Sequence, residues 1–124
     1  MADGAIGLVA VGGYVPRYRL SGRLLADVWG GAGGGAGERA VANYDEDALT
    51  MACEASLLAL AGRDASRIGG CLFASTSAPY VEKSCATLLA TVADLRTDIL
   101  TADLGGSLRC GTTALRLALD AVRA

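Results

Sequence analysis

Cys110 is the residue whose type and position most invite covalent chemistry. It follows a glycine-rich stretch, Asp103 to Arg109 (DLGGSLR), and opens a segment with helical apolar spacing at Leu115, Leu119 and Val122. A thiol at a helix N-terminus, beside a guanidinium such as that of Arg109, is held more readily as the nucleophilic thiolate. The plainer role for Cys110 is a small side chain packed where the helix begins. Ser107, three residues earlier, is a second possible nucleophile, but a hydroxyl needs a base to activate it. The chain has no histidine. Ser-His-Asp triads, Cys-His pairs and histidine metal motifs therefore cannot be built from these residues alone.

The other cysteines, Cys53, Cys71 and Cys85, lie in apolar or small-residue surroundings and form no C-x-x-C pair. Buried thiols are expected there rather than a zinc site or a redox pair. Glu82-Lys83 reads as a solvated ion pair at a helix start, with the lining of a substrate channel as the alternative. Tyr14 and Trp29 read as core or interface aromatics.

These residues need elements to position them. With 124 residues, 52% hydrophobic and 19% charged, the chain has the apolar content of one packed domain. A net charge of −2 gives no general attraction to phosphate backbones or anionic lipid, so nucleic acid and membranes are not expected partners. No apolar run is long enough to cross a bilayer, and no basic segment precedes an apolar one at the start. A cytoplasmic, reducing setting is the expectation.

Along the chain, Ala5 to Val11 (AIGLVAV) suggests a buried strand ending at Gly12-Gly13. Tyr14 to Leu20 is extended around Pro16, and Ser21 caps a short helix carrying Leu24, Leu25 and Val28. Residues 30–37 (GGAGGGAG) form a low-complexity surface loop. Gly31, Gly33 and Ala36 match G-x-G-x-x-A, but the match follows a helical pattern instead of a strand, which argues against a dinucleotide site. Asp45-Glu46-Asp47 opens a helix over Glu46 to Ala61 with Leu49, Cys53, Leu57 and Leu60 on one face. Next come a strand at Gly70 to Ser75, a helix from Glu82 to Leu95, a strand from Thr97 to Ala102 and a helix from Gly111 to Val122. Apolar strands alternating with helices predict an α/β domain, with a mixed or parallel sheet covered by helices. Three short strands leave an open sheet edge, so the chain reads as half of something larger.

Several segments, in order, resemble the opening of hydroxymethylglutaryl-CoA synthase-like proteins of the thiolase superfamily. They are Gly13 to Leu20 (GYVPRYRL), Trp29-Gly30, Gly37 to Val41 (GERAV), Asp45 to Asp47, Thr50 to Ala52, Ala74 to Tyr80 (ASTSAPY) with Lys83, and Gly106 to Ala114 (GSLRCGTTA). The resemblance covers almost the whole chain. It implies that residues 1–124 form the N-terminal half-domain of a thiolase-like condensing enzyme, with the family's histidine in the second half. It further implies acyl-CoA or an acyl-carrier thioester as substrate and no metal or redox cofactor. A homodimer, or a complex with a second thiolase-like half, is implied too, with an OB-fold zinc-ribbon partner among the possibilities.

The family's chemistry is a condensation in which a cysteine at a strand-to-helix turn is acylated and a glutamate serves as acid-base. The cysteine stands in a pattern like Cys-x-x-Gly-Thr-Ala. Aligned on Gly111-Thr112, that position here is Leu108, and the glutamate position, aligned on Pro79-Tyr80, is Thr76. Moving Cys110 into the cysteine's place would turn the helical apolar face by about 200° at 3.6 residues per turn. The resemblance thus implies a degenerate nucleophile site, with Cys110 as the remaining candidate catalytic thiol. Arg17, Arg109 and Ser107 are the candidate substrate contacts, Arg17 with Arg19 toward the phosphates of CoA. The alternative is a non-catalytic acyl-CoA-binding or scaffolding subunit.

Overall fold

The computed structural model describes residues 5–31 and 35–123. Gly33, part of the glycine-rich match, lies outside them. Four strands and four α-helices follow in the order β1 (Tyr18–Ser21), α1 (Gly22–Trp29), β2 (Glu38–Val41), α2 (Ala48–Leu60), β3 (Gly70–Ala74), α3 (Cys85–Val92), β4 (Leu100–Leu104) and α4 (Cys110–Arg123). A single 3₁₀ turn, Ala65–Arg67, links α2 to β3.

The strands form two pairs. β1 and β2 are antiparallel, with Tyr18 opposite Val41 and Ser21 opposite Glu38, and α1 fills the connection between them. Ser21 ends β1 and caps α1, accepting the Leu24 amide at 3.1 Å. Gly30 closes α1 at φ 72°, a left-handed conformation that costs glycine little.

β3 and β4 are parallel, from Gly70 opposite Leu100 to Ala74 opposite Leu104, and α3 is the crossover between them. The core lies against this unit. Leu49 of α2, Phe73 of β3, and Cys85, Ala86 and Leu89 of α3 form one buried cluster, with Cys53, Cys71 and Leu88 packed around it. Cys71 and Phe73 are two residues apart and so share a strand face, the one turned to α2 and α3. Burying a phenylalanine such as Phe73 contributes about 1.5–3 kcal/mol. α4 returns along β3 and β4.

The elements differ from the sequence expectation at identifiable points. Ala5 to Val11 joins no ladder among the described residues and lies in the open, with Val9 81% and Val11 84% exposed. A strand needs a hydrogen-bonding neighbour, and none of the described strands runs beside it. The segment instead meets α2 at Gly12, where a Cβ would fall 2.0 Å from the Ala55 carbonyl oxygen. The parallel sheet accordingly has two strands rather than three, and the segments around Tyr18 and Glu38 supply a separate antiparallel pair.

α2 begins at Ala48, because Asp47 takes the cap and not Glu46. Asp47 Oδ1 accepts the amides of Leu49 and Thr50, both at 2.8 Å, while Thr50 Oγ1 accepts the Asp47 amide. α3 is shorter than its pattern, since Ser84 caps it and leaves Glu82 and Lys83 in the preceding loop. Only Cys85 of the three structural thiols is fully buried; Cys53 and Cys71 are half-buried.

Candidate functional site

Parallel strands end at the same edge, and loops leaving that edge commonly build the ligand site of an α/β fold. Here β3 runs out into Ser75 and β4 into Gly105. The ladder continues one step, with the Ser75 amide donating to the Leu104 carbonyl at 3.1 Å. The loop from Ala78 to Ser84 closes over this edge, and between them lies a cavity of about 420 Å³. Phe73, Ser75, Tyr80, Lys83, Asp103 and Gly105 are among its lining residues.

Asp103 holds the two sides together. Its Oδ2 accepts the Cys85 amide and its Oδ1 the Ala86 amide, each at 2.7 Å, and Ser84 Oγ donates to Oδ1 at 3.3 Å. A carboxylate at the N-terminus of α3 satisfies donors that the helix cannot and complements its dipole. This pins the end of β4 to the start of α3. Sequence reasoning missed this role, because it ended the strand at Ala102 and left Asp103 in the turn, whereas β4 runs on to Leu104.

Lys83 is placed differently from the expected ion pair with Glu82. Its ammonium lies over the Tyr80 ring, 5.1 Å from the centroid. Among the described residues the ion pairs are Arg96–Asp98, Arg116–Asp120 and Arg123–Asp120, so neither Glu82 nor Lys83 takes part in one. Both side chains line the cavity.

The turn from β4 into α4 carries the other candidates. Ser107 Oγ accepts the Arg109 amide at 3.2 Å, and its carbonyl accepts the Cys110 amide at 3.0 Å. Ser107 therefore shapes the entry to α4. Leu108 projects from the turn and is 92% exposed. Cys110 is the first residue of α4 and half-buried. Arg109 is exposed, and none of residues 107–110 lines the cavity. Thr76 is exposed on the bend after β3, where the Ser77 amide donates to Ser75 Oγ at 3.0 Å.

Arg17 is elsewhere. It lines a second cavity of about 360 Å³ with Tyr14, Tyr18, Asn43, Glu46 and Glu54, which none of the turn residues reaches. Tyr14 there donates its hydroxyl to Glu46 Oε1, and the Asn43 amide donates to Oε2 at 2.7 Å. Both bonds favour the charged carboxylate, and the one from Tyr14 most of all lowers the Glu46 pKa; the same bond raises that of Tyr14. The half-buried thiols have raised pKa values, first through burial and then through nearby carboxylates: Asp47 and Glu54 for Cys53, Asp103 for Cys71. That keeps them as thiols, which suits packing and not attack. No group of three or more metal-ligating side chains occurs among the described residues.

Similar proteins agree with this architecture. The chain is 39% identical over 119 residues to the hydroxymethylglutaryl-CoA synthase of Thermococcus gammatolerans, covering 94% of this chain and 34% of that protein. It is 35% identical over 127 residues to the enzyme of the same name from Archaeoglobus fulgidus, covering 96% of this chain and 37% of that one. Over nearly its whole length the chain is similar to proteins named hydroxymethylglutaryl-CoA synthase. It spans about a third of the length of the curated relatives it matches.

Among solved structures, a substituted form of Xanthomonas campestris OleA with bound lauric acid and lauroyl-CoA superposes with a TM-score of 0.77 at 19% identity. The match covers 90% of this chain and 37% of that one. The fold of this chain is therefore thiolase-like α/β. No protein-family profile matches the chain. No helix among the described residues is long and apolar enough to cross a membrane.

Proposed function

We propose that this chain is the N-terminal part of an acyl-CoA condensing protein of hydroxymethylglutaryl-CoA synthase type. In this reading it handles acyl-CoA thioesters while its β4–α4 turn carries no nucleophile. The relatives' names support the acyl-CoA class, and the thiolase-like fold agrees with it. The observation that carries the degenerate site is Leu108, 92% exposed on the turn entering α4, where the family pattern calls for cysteine. An alkyl side chain has no lone pair with which to attack a thioester carbonyl.

The neighbouring groups support the same reading. Ser107 has its hydroxyl oxygen engaged by the Arg109 amide, and the chain offers no imidazole to activate it. Cys110 is the first residue of α4 and half-buried, a place that suits a small packed side chain. Arg109, exposed beside Leu108, and Arg17 with Arg19 on the β1 side are the cations proposed for CoA phosphates. The thioester is the only small molecule the reading calls for. A homodimer or a second thiolase-like half completes the assembly in a cytoplasmic setting, with an OB-fold zinc-ribbon protein as a further proposed partner.

A second reading keeps covalent chemistry in this chain through Cys110, favoured by its place at the α4 N-terminus beside Arg109. Incubation with radiolabelled acetyl-CoA followed by peptide mass mapping separates the two. The expected result is measurable acyl-CoA affinity without covalent label, unchanged in Cys110→Ala. Label on the Cys110 peptide, lost in that variant, would assign acyl transfer to this thiol and overturn the degenerate-site reading.

A further inference from the structure

We infer that Lys83 receives an anionic oxygen group of the ligand seated at the carboxyl ends of β3 and β4. That group is either a carboxylate at the acyl end of a thioester or a phosphate of its carrier. The inference rests on the acyl-thioester reading and adds to it a residue that names the ligand's charge. The cavity is mixed in character, with Phe73, Tyr80 and Leu104 giving apolar wall and Lys83 the one cation on its lining. Its volume, about 420 Å³, is in the range of small-molecule sites.

Two facts leave Lys83 available. Asp103, a carboxylate on the same lining, has its two oxygens bonded to the α3 amides of Cys85 and Ala86. The same bonds occupy the N-terminus of α3, so the helix end does not compete with Lys83 for an anion. Lys83 itself forms no ion pair among the described residues and rests its ammonium on the Tyr80 ring. An aromatic face steadies an ammonium without neutralising it, and the remaining donors stay free for a carboxylate or phosphate. Glu82 lines the same cavity and opposes a second negative charge. The anion is thus held locally at Lys83 and not by a broad positive field. Lys83 is also the only lysine of the 124 residues, so no other ammonium side chain can substitute for it.

The test is isothermal titration of the full chain with succinyl-CoA, butyryl-CoA and CoA, using wild type, Lys83→Met, Lys83→Arg and Glu82→Gln. Lys83 is exposed, so folding is expected to survive and is checked by circular dichroism. Lys83→Met should weaken the anion-recognising contact about tenfold, the scale of one hydrogen bond to a charged group. Lys83→Arg should retain most of the affinity, and Glu82→Gln should tighten binding. Loss confined to succinyl-CoA identifies the acyl carboxylate; equal loss for all three ligands identifies the carrier phosphate. Wild type that binds these ligands with affinities unchanged in Lys83→Met overturns the role of Lys83 and leaves the acyl-CoA reading standing. Wild type that binds none of the three overturns both.

Discussion

At the scale of single residues, Asp103 is the side chain on which the site's geometry turns. It accepts two backbone amides at 2.7 Å and a hydroxyl from the opposite wall, across 17 to 19 positions of sequence. Replacing it by alanine leaves the Cys85 and Ala86 amides without their acceptor. Hydrogen bonds to a charged group contribute about 1.5–3 kcal/mol each, and they are not additive here because both amides share one carboxylate. Asp103→Ala is expected to lower unfolding stability by about 2–3 kcal/mol in urea titration, and Asp103→Asn by less, since one carbonyl acceptor remains. Equal stability of wild type and Asp103→Ala would show that the β4–α3 link is not what holds the cavity wall. Residue types at the turn were plain in the sequence: Leu108 stands where the resemblance calls for cysteine, with Ser107, Arg109 and Cys110 around it. What could not be read was that Ser107 bonds Arg109 and that Lys83 turns to Tyr80 instead of Glu82. Loop side chains choose among nearby partners by three-dimensional distance, which spacing along the chain does not encode.

At the scale of elements, helices were legible in their existence and less so in their ends. Three consecutive acids, Asp45 to Asp47, made the start of α2 ambiguous. Tyr14 resolves it from 32 residues away by drawing Glu46 out of the cap position, and Asp47 then closes a capping box with Thr50. Asp47→Ala should therefore cost about 1 kcal/mol, visible as a lowered denaturation midpoint, whereas a change at neighbouring Asp45 should leave the helix start intact. A similar destabilisation from Asp45→Ala would mean that general charge at the helix end, and not the box, provides the effect. The β4 boundary follows the same logic. Asp98 is engaged by Arg96 at 2.8 Å, and pairing begins only at Leu100, later than the apolar pattern suggested.

For the whole molecule, the α/β class was readable from alternating apolar strands and helices, and the β3–α3–β4 unit is its realised core. The first apolar run was misread because hydrophobic content signals a strand only where a neighbour supplies the hydrogen bonds. In this structure Val9 and Val11 are largely exposed. Val9→Lys with Val11→Lys should then change the stability of this chain by no more than about 0.5 kcal/mol, as for ordinary surface positions. A loss of several kcal/mol would place those side chains inside a packed core after all. The chain matches relatives about three times its length.

Most depends on the register that puts an aliphatic side chain at the turn into α4. Intact-mass spectrometry after incubation with acetyl-CoA tests it directly, with wild type and Leu108→Cys compared side by side. The wild type is expected to stay unmodified, and the variant to carry a new exposed thiol that reacts with thiol reagents ahead of Cys110. Wild type gaining the mass of one acetyl group, located on Cys110, would contradict it.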